Sequence, residues 1–305
     1  MTFMTPGSQA IADAAQRHFT QGCRAEQGVE QGVEGENLEL LELAVRTALS
    51  AAELITRIRG ELGDLTAYTS TKSSEVDPVT VVDQQAEAHI VGSLSAARPR
   101  DGFVGEEGAQ AASESGVTWY VDPIDGTVNF LYGIAQYAVS IAAAEGERLR
   151  VGVVVNVATG TLYAAVGGSG AIAVSARGVE VLVGPRPALL QQSLLATGFS
   201  YDAQRRAAQA ELLKQLLPRV RDVRRMGSAA LDLCALAAGQ VDLYFEHGLH
   251  SWDFAAGALI ATEAGVAIHR PKLDTQGADG AAIVGGLMEN VRALERVIGG
   301  NLPLG

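Results

Sequence analysis

The chain has 305 residues, 48% hydrophobic and 19% charged, which supplies a sizeable core and excludes wholesale disorder. Lys and Arg number 23 against 35 acids, and a formal charge of −12 argues against a nucleic-acid footprint and against attraction to anionic lipid. The longest apolar runs, such as VGVVVNVA, fall short of the ~20 residues of a membrane span. The first residues have no basic segment leading into an apolar one, and Cys23 and Cys234 make neither a disulfide framework nor a zinc set. A cytoplasmic protein without membrane or nucleic-acid partners is expected.

Residues 1–36 are rich in Gln, Gly, Ala and Glu, with EQGV at 26–29 and again at 30–33. They read as a mostly disordered tail with at most a frayed helix near 8–19. A single ordered domain is expected over 37–305. Pro185-Arg186-Pro187 would divide it into halves, 37–185 and 186–305, although so short a linker rarely separates independent domains. Leu38, Leu41, Val45, Leu49, Ala52 and Ile55 recur at three- and four-residue steps and predict an amphipathic helix. Val82, Ala86, Ile90 and Leu94 form the stripe of a second, with Asp83 and Glu87 one turn apart beside it. Residues 117–121, 137–145, 149–157 and 161–166 read as strands. Turns at Gly146 and at Ala158-Thr159-Gly160 join the last three as an antiparallel meander. After Pro187, the strand-like runs LLATGFS, VRRM, VDLYFE and AAIVGG alternate with helices over 203–217, 228–238, 253–264 and 288–298. This succession predicts a mixed α and β layered sandwich.

The chemistry concentrates in WYVDPIDGTVNF, residues 119–130. A buried strand delivers Asp122 at its end, Pro123 keeps the next step extended, and Asp125 follows. Two carboxylates so close repel each other unless a cation stands between them. Oxygen donors without His or Cys favour a hard ion, Mg²⁺ or Mn²⁺, over zinc. Gly126 and Thr127 then open a short helix whose backbone N–H groups suit an anion. Acids beside an anion cradle suggest metal-assisted phosphate chemistry. Taken alone, each acidic patch has a plainer account. Asp122 and Asp125 serve as Asx-turn acceptors, Asp83 as an N-cap, Glu106 and Glu107 as a solvated loop, and Asp253 as a partner of the helix dipole. No one of these accounts explains all four patches together.

GEE at 105–107, WYVDPIDGTVNF at 119–130 and WDFAAGALIATEAG at 252–265 resemble the inositol monophosphatases, within the wider Mg²⁺-dependent, lithium-sensitive sugar phosphatases. The resemblance runs from about Leu38 to the C-terminus, with support from residues 71–83, 224–242 and 244–253. It implies a five-layer αβαβα sandwich and hydrolysis of a small phosphorylated polyol or sugar, inositol monophosphate first, by metal-activated water. Glu106, Asp122, the Ile124 carbonyl, Asp125 and Asp253 match the ligands of two or three Mg²⁺ ions. Asp83 and Thr127 match the pair that orients the attacking water, and Gly126 and Thr127 offer N–H donors to phosphate. Asp125, Ala229, Glu246 and Asp253 fall at the substrate, and Lys72 matches a basic residue beside the site. A homodimer is implied too. The same site acting on fructose 1,6-bisphosphate, histidinol phosphate or a phosphoadenosine nucleotide is the alternative, and a non-catalytic interaction protein a further one. Two departures fall outside the expected ligands. Val266 stands where family members often have glycine, and the stretch 167–184 lacks the expected Asn-Gly turn.

Overall fold

A computed structural model describes residues 4–25, 31–62 and 78–299. Lys72 lies outside the described residues. Three N-terminal helices, α1 (Pro6–Ala25), α2 (Gln31–Leu62) and α3 (Pro78–Ala97), precede the first sheet. That sheet comprises β1 (Gly102–Gly105), β2 (Gln110–Ala111), β3 (Val117–Asp125), β4 (Ala138–Glu145), β5 (Arg148–Asn156), β6 (Thr161–Val166), β7 (Ala171–Ser175) and β8 (Gly178–Val181). Its order is β2-β1-β3-β4-β5-β6-β7-β8. All neighbours are antiparallel except β1 and β3, and α4 (Thr127–Tyr132) interrupts the chain between β3 and β4.

The second sheet uses β9 (Leu194–Thr197), β10 (Asp222–Arg224), β11 (Leu243–His247), β12 (Ala267–His269) and β13 (Ala282–Gly286) in the order β10-β9-β11-β13-β12. Strands β10, β9 and β11 run parallel, and β13 is antiparallel to both its neighbours. The helices of this half are α5 (Ala203–Leu216), α6 (Ala229–Ala237), α7 (Ser251–Glu263) and α8 (Met288–Ile298).

Three hydrophobic clusters hold five layers together. One lies between α1–α3 and the first sheet, one contains α6 and α7 between the two sheets, and one joins the second sheet to α5 and α8. The result is the mixed αβαβα sandwich expected from the sequence. The first sheet is covered on both faces, which explains the unbroken apolar run of β5. Its inner face is lined by small residues, Ala138, Ala142, Ala144 and Ala165, although alanine is a poor strand former. Close approach of α7 selects them: a Cβ on Gly152 would stand 2.7 Å from the Ala256 carbonyl oxygen.

The N-terminal expectation needs correction. Residues 6–25 are helical, and Ala12, Ala15 and Phe19 are buried against α2 and the first sheet. Helix α2 also begins at Gln31, six residues before Asn37. An apolar stripe at 11, 12, 15 and 19 has helical spacing. The Gly- and Gln-rich stretch that follows masks this short signal in the sequence.

The two departures are absorbed locally. Gly265 takes φ +85 after α7, its N–H bonds the Thr262 carbonyl, and the Val266 N–H reaches the Ala261 carbonyl. This is a Schellman stop, with Val266 buried at the position that wants an apolar side chain. Strands β7 and β8 are joined through Ala176-Arg177 without an Asn-Gly pair.

Candidate active site

Every parallel strand ends at one cavity of about 340 Å³. Carboxyl ends of parallel strands are where α/β sheets place ligands. The β1–β3 register pairs Gly105 with Val121, so Glu106 follows beside Asp122. Pairing of β3 with β4 shifts between Asp122 and Asp125, and this irregularity turns both acids into the cavity wall. From the second sheet come Gly198–Tyr201 after β9, Arg225–Ala229 after β10, and Glu246–Asp253 at the end of β11 and the start of α7.

Of the residues singled out in the sequence, Glu106, Asp122, Ile124, Asp125, Gly126, Thr127, Ala229, Glu246 and Asp253 all line this cavity. Asp83 does not. It lies on α3, is 4% exposed, and is outside the lining.

In Asp122 and Asp253 the turn or cap role and the cavity role coexist in one side chain, whereas Asp125 is held by distant donors and not by its own turn. Asp122 Oδ1 accepts from the Ile124 N–H at 3.0 Å. Asp125 Oδ2 accepts from the Ser228 hydroxyl at 2.5 Å and the Ala230 N–H at 2.7 Å. Asp253 Oδ2 accepts from the His250 N–H at 2.7 Å, at the start of α7. Each acid is anchored by these bonds and lines the cavity. Glu106 is placed indirectly: the Glu87 carboxylate on α3 accepts from the N–H groups of Glu107 and Ala109, both at 2.9 Å, and so pins the loop after β1.

Gly126 precedes α4 at φ +93, and a Cβ there would stand 2.8 Å from the Gln136 carbonyl oxygen, so conformation and space both require glycine. The Thr127 hydroxyl donates to the Ile124 carbonyl at 3.1 Å. At the far end of α4, the Arg59 guanidinium donates to the Phe130 carbonyl and lies over the Phe130 and Tyr137 rings. A cation at that end suits the helix dipole.

The electrostatics are those of carboxylates forced together out of water. Burial, then the charges of Glu106, Asp125 and Asp253, push the Asp122 carboxyl well above the usual range. Burial lifts Glu106 to about 7. It lifts Asp125 to about 6 against the pull of its bonds from Ser228, Ala230 and Ala229. Asp253 is raised by burial and by Asp125. Desolvation alone favours the neutral acids, and a bound cation is the group that would reverse this. Among the described residues no three acid, His or Cys side chains close into a ligand set by themselves. The fit to a hard cation rests on the donor chemistry: several carboxylates and a carbonyl in one cavity, which suits Mg²⁺ better than a soft metal.

The structure adds residues the sequence reading had not assigned. Ser228 and Glu87 hold the acids in place. The Tyr244 hydroxyl donates to Glu246 at 2.8 Å, and burial raises Glu246 to about 7. Asp232 on α6 lines the cavity, 1% exposed, and burial raises its carboxyl well above the usual range. His247 is also buried, with both ring nitrogens unpartnered among the described residues. Asp232 left a signal in the sequence as the lone acid in AALDLCALA, an otherwise apolar helix.

A model of the inositol monophosphatase family matches residues 36–297. The inositol-1-monophosphatase of Mycobacterium bovis is 46% identical over 262 residues, covering 82% of this chain and 89% of that protein. The protein named Nus factor SuhB in Haemophilus influenzae is 40% identical over 228 residues, covering 74% and 83%. Among solved structures, Mycobacterium tuberculosis SuhB superposes with a TM-score of 0.73 at 42% identity, covering 88% of this chain and 98% of that one. The fold and the acid-lined cavity are those of a phosphatase class that is generally metal-dependent. This chain belongs to the inositol monophosphatase family. No helix among the described residues is long and apolar enough to cross a membrane.

Proposed function

We propose that this protein hydrolyses a small phosphate monoester, with inositol monophosphate as the leading substrate. One observation carries the reading: Glu106, Asp122, Asp125 and Asp253, delivered by separate segments, line one cavity beside the Gly126–Thr127 start of α4. Two or three Mg²⁺ ions held by these acids and the Ile124 carbonyl would offset their repulsion, polarise the phosphate and make water acidic enough to attack at neutral pH. The chain's own groups do the positioning. The N–H groups of Gly126 and Thr127 donate to phosphate oxygens, and the Thr127 hydroxyl at the cavity wall orients the attacking water, with Asp83 acting from behind the lining rather than touching it. Asp125, Ala229 through its backbone, and Glu246 face the hydroxyls of the leaving group. No Ser or Cys nucleophile is required.

A carboxylate at the leaving-group end accepts bonds from hydroxyls and repels a second phosphate. Glu246 therefore favours inositol monophosphate over fructose 1,6-bisphosphate or a phosphoadenosine nucleotide, and the ester panel below separates it from histidinol phosphate. Lithium sensitivity, a homodimer and a cytoplasmic location belong to the same proposal. A panel of phosphate esters assayed with Mg²⁺ tests it, and preference for a bisphosphate or a nucleotide would redirect the assignment. A second reading, partner binding without turnover, takes its support from relatives named Nus factor SuhB. The acid set weighs against it, because binding a partner does not require carboxylates buried together at this cost.

A further inference from the structure

We infer that Asp232 is a specificity-determining residue that pairs with Glu246 to read two hydroxyl groups of the substrate's leaving alcohol. This rests on the hydrolytic reading above and assigns a residue to it. Asp232 is 1% exposed, its Oδ1 has no hydrogen-bond partner, and it lines the cavity. A buried carboxyl oxygen left unpaired destabilises the protein unless a ligand satisfies it. Every other residue of α6 from Ala229 to Ala237 is apolar and buried, so leucine or alanine would serve packing at this position. A carboxyl at a cavity wall that lacks a partner for one of its oxygens is completed when a donor arrives there.

Placement says which donor. Asp232 and Glu246 line the same cavity, and of the charged groups acting on Asp232 Glu246 is the strongest, ahead of Asp125 and Arg225. Tyr244 and Glu246 share one face of β11, and Tyr244 packs in the same cluster as α6, so that face looks towards α6. Glu246 is itself held from two sides. Tyr244 donates to its Oε2, and Gly198 lies so close that a Cβ there would overlap the carboxylate. Two carboxyl groups fixed on different elements at one end accept from two hydroxyls of one ligand. A vicinal polyol offers that pair, whereas an aryl or simple alkyl leaving group offers no hydroxyl.

The test compares wild type, Asp232→Ala and the isosteric Asp232→Asn with Mg²⁺. Substrates are inositol monophosphate, its analogues each lacking one hydroxyl, and an aryl phosphate. Asp232→Ala should raise KM for inositol monophosphate at least about ten-fold more than KM for the aryl ester, with kcat moving less than KM. Asp232→Asn, which keeps an acceptor oxygen, should lie between. One deoxy analogue should lose affinity with wild type and lose no more with Asp232→Ala, the mark of a direct pair. Losses that add for every analogue, or equal KM changes on both esters, would overturn the assignment of Asp232 alone. Wild-type protein that turns over none of the esters would overturn the hydrolytic reading, and this inference with it.

Discussion

Asp122 and Asp253 each accept from a nearby backbone N–H while lining the shared cavity, so a single side chain both shapes the local chain and furnishes the site, whereas Asp125 accepts from Ser228 and Ala230 of the other half. The local bond fixes the rotamer, which makes amide replacement a test of charge as much as of shape. Asp122 stands against three other acids, Glu106, Asp125 and Asp253. Asp122→Asn should lower kcat/KM by at least ~10²-fold, the scale of a lost electrostatic contribution to the transition state; full activity at saturating Mg²⁺ would remove Asp122 from the site. Glu246 allows a second test, this time of stability against pH. Burial raises its folded-state value to about 7, above the ~4.3 of an unfolded chain. A raised acid holds more protons folded than unfolded between those values, so stability falls as pH rises through that window. In Mg²⁺-free buffer, Glu246→Gln should gain in Tm relative to wild type between pH 5 and pH 8. A difference that stays constant with pH would mean that Glu246 is not desolvated as described.

Helix α1 is the element that the family match omits, since that match begins at residue 36. It carries no residue of the cavity, yet it buries Phe19 to 2% exposure and packs on α2 and on β6, β7 and β8. Phe19→Ala should cost about 3 kcal/mol, at the low end for a buried phenylalanine because a terminal helix relaxes more easily. The kinetics should be untouched; an unchanged Tm would mean that α1 docks without adding to stability. The same helix marks where the sequence was hard to read. Its apolar stripe is four positions wide and is followed by a polar, Gly-containing run, so composition pointed to a tail. The long meander, the α6 and α7 helices and the acids at strand ends were legible because period and turn chemistry agree there. Asp232 was not assigned, because a lone acid acquires meaning only when its helix is seen to face a cavity. Strand β2, two residues long, has no period to read.

On the scale of the whole molecule, the site is assembled from residues as distant in the chain as Glu106 and Asp253, contributed by both sheets. An ion that binds only this assembly stabilises all of it, by about 2.7 kcal/mol at ~100 times Kd. At roughly 2–4 °C per kcal/mol for a chain of this size, Mg²⁺ should raise the Tm of EDTA-stripped protein by about 5–10 °C. The shift should shrink in Asp253→Asn. An unchanged wild-type melt at matched ionic strength would favour the partner-binding reading. Strand order in the second sheet carries one more consequence, for the protein's synthesis. Strand β13, the last in the chain, sits between β11 and β12, so neither gains that neighbour until residue 286 has been made. At ~5–20 residues per second, Asp122 and Asp125 leave the ribosome roughly ten to thirty seconds before the sheet that faces them can close. During that interval the first sheet's acids lack the second wall of their cavity, and their full crowding with Asp253 and Glu246 waits on the later half of the chain.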